Sequence, residues 1–108
     1  MKRGEVWFVE FDPATGSEIR KTRPAVIVSN DAANRNLSRV VVVPITSNTK
    51  RVYPGEAIVT VGNDSGKTMA DQIMAADKSR LKSKLATLSK IEMKAVEDAI
   101  KIHLAMER

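Results

Sequence analysis

Apolar residues along this chain first cluster in short runs and then change period. Glu5 to Phe11 (EVWFVEF) is apolar on both faces and rich in residues that suit a pleated surface, so it predicts a strand. Asp12-Pro13 ends it, and Thr15-Gly16-Ser17 continues the break. Pro24 to Ser29 (PAVIVS) predicts a second strand, with its proline first, where a missing N–H is tolerated. Polar Asn30 to Ser38 fits either a short helix or an ordered loop. Arg39 to Thr46 (RVVVVPIT) predicts a third strand, central because its valines run unbroken, with a bulge or an edge at Pro44. A basic loop, Ser47 to Gly55, leads to a fourth strand at Ala57 to Val61. Gly62 to Gly66 turns the chain, and Thr68 to Ala75 predicts a fifth strand.

Ser89-Lys90-Ile91-Glu92 then has the form of a capping box, in which serine caps the helix and glutamate returns the bond. Beyond it Met93, Val96, Ile100, His103 and Leu104 recur at helical spacing, so one amphipathic helix follows. Short strands followed by a helix predict a mostly β fold with a C-terminal α-helix, most simply a partly open barrel with the helix packed on it. The 108 residues, 1–108, make a single domain without repeats or a linker.

Charge and composition narrow the chemistry. A net charge of +5 favours acidic partners such as nucleic acid, an acidic protein or an anionic surface. The chain has no cysteine, which excludes disulfides, thiolate catalysis and cysteine-type zinc sites. Its start, MKRGEVWFVEF, lacks the apolar core of a signal peptide, and no stretch has the length of a membrane span, so the expectation is a cytoplasmic protein without a membrane role. The one histidine, His103, falls on the apolar side of the helix, as a core or boundary residue, so a paired-histidine nuclease and a Ser-His-Asp triad have no support. No His, Asp and Glu cluster has metal-ligand spacing, and no metal or cofactor is expected. GNDSGKT at Gly62 to Thr68 is one residue short of a phosphate loop and precedes a strand, so it reads as a hairpin turn ending in a solvated lysine.

Polar residues at strand ends remain. The residue before a proline is pushed into an extended conformation, so Arg23 enters the second strand with its direction fixed, which suits an anion held in one geometry. Glu18, Arg20 and Lys21 share its loop, while Thr46, Ser47, Asn48, Lys50 and Arg51 end the third strand and open the next loop. In a small barrel these two loops would flank one groove, with cations for phosphates, hydroxyls and amides for base edges, and one carboxylate. Tyr53 in the basic loop is placed to stack on a base, and Trp7 is assigned to the core. The lysines from Lys78 to Lys94 read as a solvated basic face.

Five segments in order, KRGEVWFVEFDP, GSE with RPAVIVSND, VVVPITSN, YP with ADQI, and LSKIEMKAVEDAIKIHL, resemble the MazF/PemK toxins of bacterial toxin–antitoxin systems. The resemblance implies an SH3-like barrel and a sequence-specific endoribonuclease that inhibits translation. It implies that Arg23 and Thr46 are the central catalytic residues and that Glu18 assists them. Ser47, Asn48, Asp71 and Gln72 match positions that bind substrate or support the site. Met69 stands where some PemK relatives carry a catalytic arginine, so a mechanism built on that arginine does not transfer. The implied partners are single-stranded RNA, a second copy of the chain and an acidic, MazE-like antitoxin. Two other readings are a CcdB-like toxin that binds gyrase, for which the helix end lacks an aromatic, and an RNA-binding module without catalysis.

Overall fold

The computed structural model describes residues 1–11 and 21–107. The expectations for Glu18 and Arg20 lie outside the described residues, and for Lys21 only the backbone is described. Among the described residues seven strands and two α-helices follow in the order β1 (Glu5–Phe11), β2 (Lys21–Ile27), α1 (Asp31–Asn36), β3 (Arg39–Thr46), β4 (Glu56–Val61), β5 (Asp64–Met69), β6 (Met74–Asp77), β7 (Leu81–Thr87) and α2 (Lys90–His103). The strands pair antiparallel in the order β4-β5-β3-β2-β1-β7, with β6 also on β3. The result is a curled half-barrel sheet with a C-terminal helix against it, the open barrel expected from the pattern.

The unbroken apolar runs bury both faces of the central strands. Val26 of β2 and Val43 and Ile45 of β3 join Met93, Val96 and Ala99 of α2 in one core cluster. Their alternates Ala25, Ile27, Val40 and Val42 form a second cluster, with Trp7 and Phe11 packed against it. Trp7 is half-buried there, and its indole N–H donates to Glu5 Oε1 at 2.9 Å.

Pro44 marks a change of partner rather than a simple bulge. On one edge β3 pairs with β2, and that ladder ends at Ala25 opposite Pro44. On its other edge β3 pairs with β6 along Arg39 to Val42, and with β5 at Ile45 and Thr46. The fifth strand expected at Thr68 to Ala75 is therefore interrupted. Thr68 pairs with Ile45 and Met74 with Val42, and the excess chain between them leaves the sheet as a 3-10 turn, Ala70–Gln72.

Three other boundaries differ from the sequence pattern. β2 begins at Lys21, so Pro24 lies inside the strand, but outside the β2–β3 ladder. β4 and β5 pair out to Val61 and Asp64, which leaves only Gly62-Asn63 as the turn, with Gly62 at φ 64° as a type II′ hairpin requires. β7 (LKSKLAT) was unrecognised because its lysines resemble a solvated face. It pairs only with β1, at the end of the sheet, where charged side chains are tolerated and discourage further pairing.

The capping box of α2 is present: Ser89 Oγ accepts from Glu92 N, and Glu92 Oε1 accepts from Ser89 N. Glu92 Oε2 also accepts from Thr60 N at 2.7 Å, which ties the helix start to β4. Burial alone would raise the Glu92 pKa, but the bonds from Ser89 and Thr60 outweigh it and hold the carboxyl below its ordinary value. The last turn of α2 passes beyond the core. Of the core or boundary position expected for His103, the core is ruled out: the residue is exposed, with its ring beside Gly55. Asn30 to Ser38 resolves as a helix, α1, whose N-cap Asn30 accepts from Ala33 N at 2.8 Å.

Candidate functional site

Register places Arg23. It stands opposite Val9 in the β1–β2 ladder, and Pro24 stands opposite Phe8. Arg23 and Pro24 end one side of a groove of about 790 Å³. Ile45, Thr46 and Ser47 at the end of β3 line it, and the β4–β5 hairpin from Val61 to Gly66 faces them. Phe8 and Leu85 supply its apolar surface and are 37% and 39% exposed.

Among the described residues the Arg23 side chain makes no hydrogen bond or ion pair, so its fork is uncommitted at the groove it lines. Thr46 Oγ1 accepts from Asn48 N at 3.3 Å, which leaves the hydroxyl proton available as a donor. Gly66 permits the close contact beneath Thr46: a Cβ there would lie 2.7 Å from Ile45 Cγ2 and 3.1 Å from Thr46 O. A guanidinium, a hydroxyl and an apolar wall are the groups needed to hold a phosphodiester with its base beside it.

Arg23, Thr46 and Ser47 thus come together from two strands. Asn48, Lys50, Arg51 and Tyr53 do not line the groove but continue from Ser47 in the loop beside it. Asp71 and Gln72 lie on the 3-10 turn, at the end of β5 away from the hairpin, and do not line the groove either. Gln72 Nε2 instead contacts Met69 Sδ at 3.5 Å. Sequence reasoning missed Phe8, Leu85 and the hairpin. Phe8 was legible as an aromatic in a strand that is apolar on both faces, but which face opens into a groove depends on the curl of the sheet.

The lysine at the end of GNDSGKT is not solvated. Lys67 is 7% exposed and its ammonium donates to Glu56 Oε1 at 2.9 Å. Glu56 Oε1 also accepts from Tyr53 N at 2.8 Å. That bond, with the lysine beside it, holds the Glu56 carboxyl below its ordinary pKa against the effect of burial. Among the described residues no group of three or more His, Cys, Asp or Glu side chains is placed to hold a metal ion, and no helix is long and apolar enough to cross a membrane.

A curled, antiparallel half-barrel sheet with a C-terminal helix is the MazF fold, as comparison with a solved structure bears out. An endoribonuclease from a mycobacterial species, in complex with its cognate antitoxin, superposes with a TM-score of 0.84 at 26% identity, covering 100% of this chain and 98% of that one. Residues 2–104 match the family described as PemK-like, MazF-like toxin of type II toxin–antitoxin system, and the chain belongs to that family. It is 39% identical over 113 residues to endoribonuclease MazF9 of Mycobacterium tuberculosis, covering 96% of each chain. It is also 36% identical over 114 residues to endoribonuclease MazF of Staphylococcus saprophyticus, covering 98% of this chain and 92% of the relative.

Proposed function

We propose that this protein is the endoribonuclease toxin of a toxin–antitoxin pair and cuts single-stranded RNA in the Arg23–Thr46 groove. The observation that carries this reading is the meeting of Arg23 and Thr46, from separate strands, in one groove with the guanidinium uncommitted.

RNA brings its own nucleophile. The 2′-oxygen attacks the adjacent phosphorus, the bond from phosphorus to the 5′-oxygen breaks, and the 2′-hydroxyl proton passes to a base. The leaving 5′-oxygen takes up a proton. A 2′,3′-cyclic phosphate, or the 3′-phosphate from its hydrolysis, and a 5′-hydroxyl result. This route calls for no metal, and DNA, lacking the 2′-hydroxyl, is spared. Arg23 stays protonated and binds the non-bridging oxygens as they gain charge. Thr46 donates to the phosphate or orients the 2′-hydroxyl, and Glu18 takes its proton. Ser47, Asn48, Arg20, Lys21, Lys50 and Arg51 hold the strand, Tyr53 stacks on a base, and Asp71 and Gln72 support the site. Unpaired RNA is the fitting substrate because its base edges are open to side chains.

The chain acts as a homodimer held in check by an acidic antitoxin, in the cytoplasm. The +5 charge suits such a partner, and a relative has been solved with its cognate antitoxin. The test is cleavage of total cellular RNA in EDTA by wild type and Arg23→Ala, with the new ends mapped. Discrete cuts bearing 5′-hydroxyls, lost in the variant, are expected. Intact RNA with the wild-type protein would overturn the reading in favour of a gyrase-binding toxin or a non-catalytic RNA-binding module.

A further inference from the structure

Lys67 stands directly opposite Thr46 in the β3–β5 ladder, so their side chains leave the sheet on the same face. Each is bonded into the basic loop that follows β3. Thr46 Oγ1 accepts from Asn48 N, and Asn48 Oδ1 in turn accepts from Lys50 N at 3.3 Å. The Lys67 ammonium donates to the Arg51 carbonyl oxygen and to Glu56, and lies 5.6 Å from the centre of the Tyr53 ring. Glu56 closes the circuit, since its carboxylate accepts from Tyr53 N and its own N–H donates to Tyr53 O at 2.9 Å. One cross-strand pair therefore anchors both ends of the loop.

We propose that Lys67 is a positioning residue for RNA: with Glu56 it presets residues 51–53, so that the basic loop meets the strand as a fixed edge beside Thr46. This rests on the RNA-cutting reading above. The partners of the ammonium all belong to the loop or its closing residue, which is where a device for loop order would put them. An apolar residue at this buried position would serve stability as well as an ion pair does. Lys67 is neutralised by Glu56, so its charge is spent on the loop and not on phosphate. Ordering a residue costs backbone conformational entropy. A loop ordered before RNA arrives removes that cost from the binding step.

The test compares wild type with Lys67→Met/Glu56→Gln, which removes both charges so that no unpaired buried carboxylate remains. Amide exchange at residues 51–53 is read in the free protein. Affinity is read with a single-stranded RNA carrying a mapped cleavage site blocked by a 2′-deoxy nucleotide, and with Arg51→Ala added to each background. The clamp predicts faster exchange, a higher KM with kcat retained on the cleavable RNA, and a several-fold Arg51→Ala penalty in wild type that shrinks in the double variant. Unchanged exchange would overturn the clamp whether or not RNA binds. Faster exchange with an undiminished Arg51→Ala penalty would overturn its role in RNA binding and leave a structural ion pair. Wild-type protein that neither binds nor cuts RNA would overturn the function itself, and this inference with it, while the exchange result still judged the clamp.

Discussion

Phe8 and Pro24 stand opposite each other across β1 and β2, and both line the groove that Arg23 enters. An exposed aromatic next to a positioned cation offers a base a flat apolar surface while the phosphate is held. Stacking of a base on an aromatic is worth about 1–3 kcal/mol. Phe8→Ala should therefore weaken binding of single-stranded RNA by about 5- to 150-fold by that same estimate. Phe8→Trp should retain it. Fluorescence anisotropy with an uncleavable RNA measures both, and equal affinities would remove Phe8 from the binding surface.

On the proposed mechanism Arg23 acts on charge that develops during the reaction. Arg23→Ala should lower kcat by about two to three orders of magnitude, the usual effect of losing an oxyanion-type contact. Arg23→Lys should recover only part of this, because an ammonium cannot supply the planar fork. Single-turnover cleavage separates this loss from a change in affinity.

Gly66 is sensitive for a steric reason. The added methyl of Gly66→Ala would sit 2.7 Å from Ile45 Cγ2 and 3.1 Å from Thr46 O, so the Ile45 side chain or the β3–β5 pairing beside Thr46 must shift. Overpacking of this kind costs about 1–3 kcal/mol. Reduced thermal stability together with reduced cleavage is expected. A variant with wild-type melting temperature and rate would show that the contact is readily relaxed.

Acid should loosen the junction between α2 and β4. Glu92 has a folded pKa below its ordinary value of 4.5, so the ionised carboxylate stabilises the fold above that value. The contribution fades as pH falls from there through the lowered folded pKa. Glu92→Gln should be less stable than wild type at neutral pH and should converge on it in acid, as denaturant titrations at several pH values would record.

Local rules and long-range pairing divide what the sequence revealed. The capping box at Ser89 and Glu92 is encoded within four residues, and its helix begins where the pattern put it. The valines of β3 also announced a strand buried on both faces. By contrast, Ala70–Gln72 leaves the sheet because β5 and β6 both dock on one edge of β3, a constraint absent from the segment's own residues. β7 was hidden because its pattern reflects an edge position, which depends on β1. In the site, the proline after Arg23 flagged a strand position that proves to line the groove, and Thr46 and Ser47 were visible as polar residues ending a strand. The groove's far wall and the circuit around Lys67 arise from the β4–β5 hairpin folding back, so composition alone described that lysine as solvated.

The pairing of β1 with β7 also sets an order of events during synthesis. Phe8 emerges early but finds its cross-strand neighbour Ser83 only when the other end of the sheet has been made, and Leu85 completes the apolar wall later still. Long-range pairing of this kind delays folding. A toxin built this way has no finished groove until β7 has been made and has paired with β1.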